Sequence, residues 1–219
     1  MKPATGKLPE IEAINQTLAR IGLDHNTHVI IYDHENGARS GRLAWTLDMV
    51  GFSQWSWLNG GMSAWIEVDG TIETGVNSPE PSSFFCKQYS PLRTGADYII
   101  NTLNDPLVTV LDVRSEAEYA GQKSPSKRKG HIPGSVNLNW LHTIDHDNAK
   151  RLKPVATIEN MLNNLGIRRD NEVIVHCQTH QRSSHSYVML KSLGFDKLRG
   201  YDGSWSEWGN RDDLPLETP

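Results

Sequence analysis

The 219-residue sequence predicts an α/β fold of two similar units, each with a central parallel sheet flanked by helices, the first unit incomplete. Three observations carry this. Residues 39–65 align with residues 182–208 at a constant offset of 143, with Arg39/Arg182, Ser40/Ser183, Leu47/Leu190, Gly51/Gly194, Phe52/Phe195, Gly60/Gly203, Ser63/Ser206 and Trp65/Trp208 identical. Upstream, Gly22/Gly166, Val29/Val173 and Ile30/Ile174 match at an offset of 144, so the loop after the first copy's strand is one residue longer. Each copy then reads helix, strand, loop, helix, the order of an α/β protein.

Taken in chain order, Ile11, Ile14, Leu18 and Ile21 recur at helical spacing and stop at Gly22. Val29-Ile30-Ile31-Tyr32 is short and β-branched, as a buried parallel strand should be. A polar loop leads to Ser40, expected as the N-cap of a second helix that ends near Gly51. Between Glu73 and Pro91, Gly75, Pro79, Pro81, Ser82 and Ser83 break regular structure. This places a first, truncated domain at 1–77, a linker at 78–87 and a complete domain at 88–219. Within the latter, a helix is expected over Ala96–Leu103 and a buried strand over Val108–Val113. The turn-rich Gly130-His131-Ile132-Pro133-Gly134 and a short strand over Ser135–Leu138 follow. Val155, Ile158, Leu162 and Leu165 repeat the helical spacing up to Gly166, Val173–His176 repeat the strand, and Ser183 is the expected cap of a helix ending near Gly194. The first copy has no counterpart of Val108–Val113 or of the Gly130 turn, so its sheet should lack a central strand and expose an apolar edge.

With 22 Lys+Arg against 26 Asp+Glu the net charge is −4, which gives nucleic-acid or membrane-surface binding no support from bulk electrostatics. Hydrophobic residues are 37% of the chain, and its seven Trp, expected to serve core and inter-domain packing, argue against disorder. No stretch approaches the roughly 18 apolar residues of a membrane helix, and Met1–Gly6 lack the apolar core of a signal peptide. Cys86 and Cys177 form neither a disulfide framework nor a paired metal-ligand spacing. The expectation is a cytoplasmic protein with no membrane partner, no nucleic-acid partner and no cofactor or metal.

The chemistry points to Cys177. It closes a strand run and is followed by Gln178-Thr179-His180-Gln181-Arg182-Ser183 and a helix, which sets the thiol at the carboxyl edge of a parallel sheet. Loop N–H groups and the helix dipole favour a thiolate there, and the Arg182 fork can hold two oxygens of an anion beside the sulfur. A buried core cysteine is the bland alternative. His176 and His180 are left without an assigned role, and a zinc site from His176, Cys177, His180 and His185 lacks the second ligand pair that closes such a site. Lys123, Lys127, Arg128 and Lys129 read first as a solvated loop and second as an electropositive rim, while Asp112 and Arg114 read as structural.

Leu111-Asp112-Val113-Arg114, Gly130-His131-Ile132-Pro133-Gly134-Ser135-Val136-Asn137, His176–Ser183 and Gly200-Tyr201-Asp202-Gly203-Ser204-Trp205-Ser206-Glu207-Trp208 together resemble the rhodanese superfamily, specifically the tandem-domain bacterial thiosulfate sulfurtransferases. The resemblance implies two rhodanese-like domains and ping-pong sulfur transfer. Cys177 would take the outer sulfur of thiosulfate as a persulfide, with Arg182 binding substrate, and pass it to cyanide, a thiol or a sulfur-acceptor protein. Asp33 stands where the cysteine would be in the first copy and cannot carry a persulfide, which implies an inactive domain. A substrate-contacting Arg found six residues after the Asp in some members is Glu118 here, so that role is not carried over. A 3-mercaptopyruvate sulfurtransferase, a non-enzymatic persulfide carrier or redox sensor, and less readily a cysteine phosphatase are the alternatives. The phosphatases separate Cys and Arg by five residues, against four here.

Overall fold

The computed structural model describes residues 6–218, so the reading of Met1–Thr5 as lacking a signal core lies outside the described residues. The first unit runs α1 (Ile11–Arg20), β1 (Val29–Ile31), α2 (Ala38–Met49), β2 (Trp55–Trp57) and α3 (Gly61–Glu67). The second runs β3 (Arg93–Thr94), α4 (Ala96–Thr102), β4 (Val108–Asp112), α5 (Glu116–Tyr119) and β5 (Val136–Asn137). After a 3-10 turn at Trp140–Thr143 it continues with β6 (Ile144–Asp145), β7 (Arg151–Leu152), α6 (Val155–Asn164), β8 (Glu172–His176), α7 (Arg182–Ser192), β9 (Leu198–Tyr201) and α8 (Ser204–Trp208).

The repeat in sequence is a repeat in space: α1-β1-α2-β2-α3 matches α6-β8-α7-β9-α8 element by element. The glycines expected to end helices do so with positive φ, at Gly22 (76°), Gly51 (75°), Gly166 (74°) and Gly194 (82°), a conformation that side chains with a Cβ resist. The expected caps are corrected. Ser40 and Ser183 lie inside the first turn, and the cap positions are Gly37, left-handed at φ 83°, and Gln181. The Ser40 hydroxyl instead accepts from Trp57 Nε1 at 2.7 Å, and Ser183 Oγ meets His180 Nδ1 at 2.8 Å.

The second unit's sheet has five parallel strands in the order β3-β9-β8-β4-β5, with Val108 opposite Glu172 and Asp112 opposite His176. Its residues alternate with the pleat. Val110 and Ile174 face a core of Ile99, Ile132, Tyr201, Trp205 and Trp208. Leu111, Val173 and Val175 face the opposite side, where α7 packs on α2 and the core runs on without a break through Trp45, Leu47 and Phe52 to Ile14 and Leu18 of α1. The segment between the units is laid down rather than free: Ser82 N–H donates to Ala19 O (2.8 Å), Asn15 exchanges two hydrogen bonds with the Cys86 backbone (2.8 and 2.9 Å), and Ser90 N–H donates to Met49 O (2.7 Å).

In the first unit β1 pairs with β2 alone among the described residues. Ile31 is buried, but Ile30 is 57% exposed. Ile30, Leu58, Met62 and Trp65 line an open groove, and their repeat equivalents Ile174, Tyr201, Trp205 and Trp208 form the closed core of the second unit. Of the seven Trp expected to pack, Trp45, Trp205 and Trp208 are fully buried, whereas Trp65 lies on this open face at 40% exposure. Among the described residues no helix is long and apolar enough to cross a membrane.

Candidate active site

Cys177 follows the last residue of β8, and four loop residues separate it from Arg182, which opens α7. The loop is pinned from one side by the start of α8. Trp205 N–H donates to Cys177 O and Ser206 N–H to Gln178 O, both at 2.9 Å, while Cys177 N–H donates to Ser204 Oγ at 3.3 Å. His180 and Ser204 hold positive φ (59° and 50°), a strained state for residues with side chains that persists only where the surroundings over-determine it. His180 is fully buried, stacks edge-on against Trp45 of α2 at 4.3 Å, and has its carbonyl capped by Ser184 Oγ at 2.5 Å. Cys177 itself is 1% exposed.

Burial alone would suit an inert cysteine; the backbone around it does not. Among the described residues, no protein group accepts the N–H groups of Gln178, Thr179, His180, Gln181, Arg182 or Ser183. Six consecutive amides without an acceptor form a nest with fixed partial positive charge, the arrangement that binds anions in loops ahead of helices. The first repeat holds the occupied version. Asp33, the equivalent of Cys177, accepts from Glu35 N–H (2.8 Å) and Gly37 N–H (2.9 Å) with one oxygen and from Ser40 N–H (2.7 Å) with the other. Burial raises the Asp33 pKa, but the hydrogen bonds from Ser40, Gly37 and Glu35 outweigh it and hold the carboxyl below its ordinary range. One copy of the loop carries its own anion, and the other presents a thiol at the same point.

The charges are arranged asymmetrically. Arg182 does not stand open beside the thiol: its Nη1 and Nη2 donate to both Glu118 oxygens at 2.8 and 2.9 Å. Glu118 is fixed in turn by Ser115 at the start of α5. Burial would raise Glu118, yet Arg182 and Ser115 bring it down to about 2, so the pair is charged at any working pH. Arg114 is held by Asp112 (2.6 Å) and Gly130 O (2.8 Å), wholly buried and stacked on Trp205, as its structural reading required. Burial pushes His176 down despite Asp112 at 3.6 Å, and His180 well down with the Arg42 charge adding to the effect, which favours the neutral ring in both. In sequence Glu118 stands out as the residue six positions after Asp112, where some family members have an Arg, and the Ser115-x-x-Glu118 spacing adds a capping-box signal; its reach to Arg182 is a tertiary fact.

The remaining candidates disperse. Lys127 pairs with Asp212 (2.5 Å) and Arg128 donates to the carbonyls of Leu214 and Trp208 (both 2.7 Å), so these members of the basic cluster anchor the C-terminal segment. His176, Cys177, His180 and His185 do not converge, and among the described residues no group of three or more His, Cys, Asp or Glu could hold a metal ion. Cys86 and Cys177 are both free thiols.

Comparison with known proteins agrees with this geometry. The rhodanese-like domain model matches residues 2–68 and 95–211. A thiosulfate sulfurtransferase of Azotobacter vinelandii is 35% identical, and one of Pseudomonas aeruginosa 37%, each over 98% of this chain and 79% of its own length. Among solved structures, the anaerobic ergothioneine biosynthesis enzyme of Chlorobium limicola superposes with a TM-score of 0.89 at 22% identity. That match covers 99% of this chain, which spans 57% of the other, and it speaks for the fold alone. With a duplicated α/β unit, a cysteine in the strand-to-helix loop of the second copy and a family match over both segments, the chain belongs to the rhodanese-like family.

Proposed function

We propose that the chain is a thiosulfate sulfurtransferase working through a persulfide on Cys177, with residues 88–219 as the catalytic unit, 1–77 as a non-catalytic unit and 78–87 as the link between them. The observation that carries this is the contrast between the two loops: the nest filled by Asp33 in the first repeat has, among the described residues, no acceptor around Cys177 in the second. The names of the Azotobacter and Pseudomonas relatives support the choice of donor.

The Cys177 thiolate attacks the outer sulfur of thiosulfate. A Cys–S bond forms, the S–S bond of the donor breaks, and its electron pair leaves on sulfite. The loop N–H groups take the charge that develops on the transferred sulfur, in the manner of preorganised oxyanion donors. Cyanide, a thiol or the thiol of an acceptor protein then attacks the outer persulfide sulfur and regenerates the thiolate. Arg182, fixed by Glu118, holds positive charge beside the reacting sulfur. Two free cysteines suit a reducing compartment, which supports a cytoplasmic place of action.

Intact-mass spectrometry after thiosulfate treatment, on the wild type and Cys177→Ser, tests the reading. One added sulfur is expected in the wild type alone, with its loss and thiocyanate release on adding cyanide. Gain in both proteins would move the site to Cys86, and gain in neither would remove the sulfurtransferase reading. A persulfide that never yields thiocyanate would favour a carrier.

A further inference from the structure

Two guanidinium groups stand at the Cys177 loop, Arg182 at its end and Arg42 beside it through Trp45 and His180, and they are in opposite states. Arg182 is tied to Glu118 by two hydrogen bonds. Arg42, from α2 of the first repeat, has no carboxylate within 4.0 Å and no side-chain hydrogen bond among the described residues, and its Nη1 is buried without a partner. Its position is set by stacking on Trp45, at 4.6 Å from the ring, and Trp45 in turn packs against His180 of the catalytic loop and against the Gly200 backbone. Asp202, the carboxylate whose charge Arg42 feels most, is engaged elsewhere through one of its oxygens. Asp202 uses one oxygen, Oδ2, to accept from both Leu8 N–H (2.8 Å) and Arg93 Nε (2.9 Å). Burial lowers the Arg42 pKa, partly offset by the charges of Asp202 and Cys177.

A half-buried guanidinium with one buried nitrogen lacking a partner among the described residues, at the edge of the catalytic loop, is costly to keep and is relieved by an anion that offers it two oxygens. We propose that Arg42 receives the sulfonate oxygens of the sulfur donor, so that thiosulfate is held between the two repeats with its outer sulfur on Cys177 and its three oxygens toward the first repeat. The inference rests on the sulfurtransferase reading and deepens it. It assigns the first repeat a part in donor recognition, and it makes Arg182 a positioning residue whose charge is already matched by Glu118. When sulfite leaves, Arg42 is the group that holds the departing charge.

The test separates the two claims. In the full chain carrying Cys177→Ser, which cannot react, calorimetric titration with sodium thiosulfate should show binding that Arg42→Gln weakens by about 10- to 100-fold, the worth of a charge-assisted pair. Sulfate should compete with thiosulfate in the parent and lose that ability in Arg42→Gln. In the reactive enzyme the same substitution should act mainly through KM for thiosulfate, leaving the cyanide step unchanged once persulfide has formed. Thiosulfate affinity indistinguishable from the parent, in a wild type that forms the persulfide, overturns the role of Arg42 and leaves the sulfurtransferase reading standing. A wild type that forms no persulfide fails at the earlier step and takes both down. Should Arg42→Gln not fold, Arg42→Lys keeps the charge and stem but loses the fork; several-fold weaker binding is expected, and unchanged binding overturns the proposal.

Discussion

Two single residues each cost this fold stability as pH falls, one by losing its charge and the other by being forced to gain one. Asp33 has a folded-state pKa below its ordinary value of 3.8, so its contribution is full above that value and is lost as pH drops beneath it. Asp33→Asn removes the charge and turns a donor toward three N–H groups, which should cost about 1–3 kcal/mol in urea denaturation. Persulfide formation on Cys177 should be unaffected, since the substitution lies in the other repeat's loop. His185 works at milder pH. It is buried between Trp57 and Trp140 with Nδ1 unpartnered, and burial brings it from 6.5 down to about 4, with Asp33 pulling weakly the other way. Between those values the unfolded chain binds a proton that the folded chain refuses, so stability falls as pH drops from 6.5 toward 4, by about 3 kcal/mol at the end of that window. Thermal midpoints measured across it should fall steeply for the wild type and less steeply for His185→Gln; parallel curves would mean that His185 is not the titrating group.

At the scale of elements, α2 and α7 are repeat equivalents that cross in contact, and Gly41 is where they touch. A Cβ there would lie 2.8 Å from His185 N and 2.9 Å from its Cα, backbone atoms that cannot step aside. Gly41→Ala must part the helices, at about 1–3 kcal/mol for an overpacked core site. Because α2 carries Arg42 and α7 carries Arg182, kcat/KM for thiosulfate should fall further than the stability loss accounts for. Gly51→Ala is the contrast: its Cβ would meet nothing within 4 Å, but φ is 75°, so about 1 kcal/mol of strain is expected with activity intact. Sequence revealed α1, α2, α6 and α7 because each has several turns of period and a glycine stop. It did not reveal β2, β3, β6, β7 or β9, which have two to four residues and so show no alternation, although the repeat ties β2 to β9 once either is known. The site divides in the same way. Cys177 and Arg182 stand in one local run, whereas Glu118 and Arg42 reach the loop only through tertiary packing that no spacing records.

For the molecule as a whole, one hydrophobic core runs through two units whose sheets it covers unequally. The second unit closes both faces of its sheet, while the first closes only the face that α2 turns toward α7. Its other face leaves Ile30, Leu58, Met62 and Trp65 in an open groove, partly sheltered by Thr71, Ile72 and Glu73, with Trp65 Nε1 donating to Thr71 O at 3.0 Å. The same positions of the second repeat are covered by α4 and β4, so the groove has the shape of a core that lacks its lid. A contiguous apolar face beside an unpaired strand edge favours association through that edge. Light scattering should therefore show self-association that grows with concentration, and Ile30→Lys, which places a charge on the exposed side of β1, should suppress it. The active site lies on the opposite side of the first repeat, across α2, so the same variant should keep wild-type persulfide formation. Self-association that persists in Ile30→Lys would place the contact elsewhere, and lost activity would mean that the groove supports the catalytic loop through the body of the first unit.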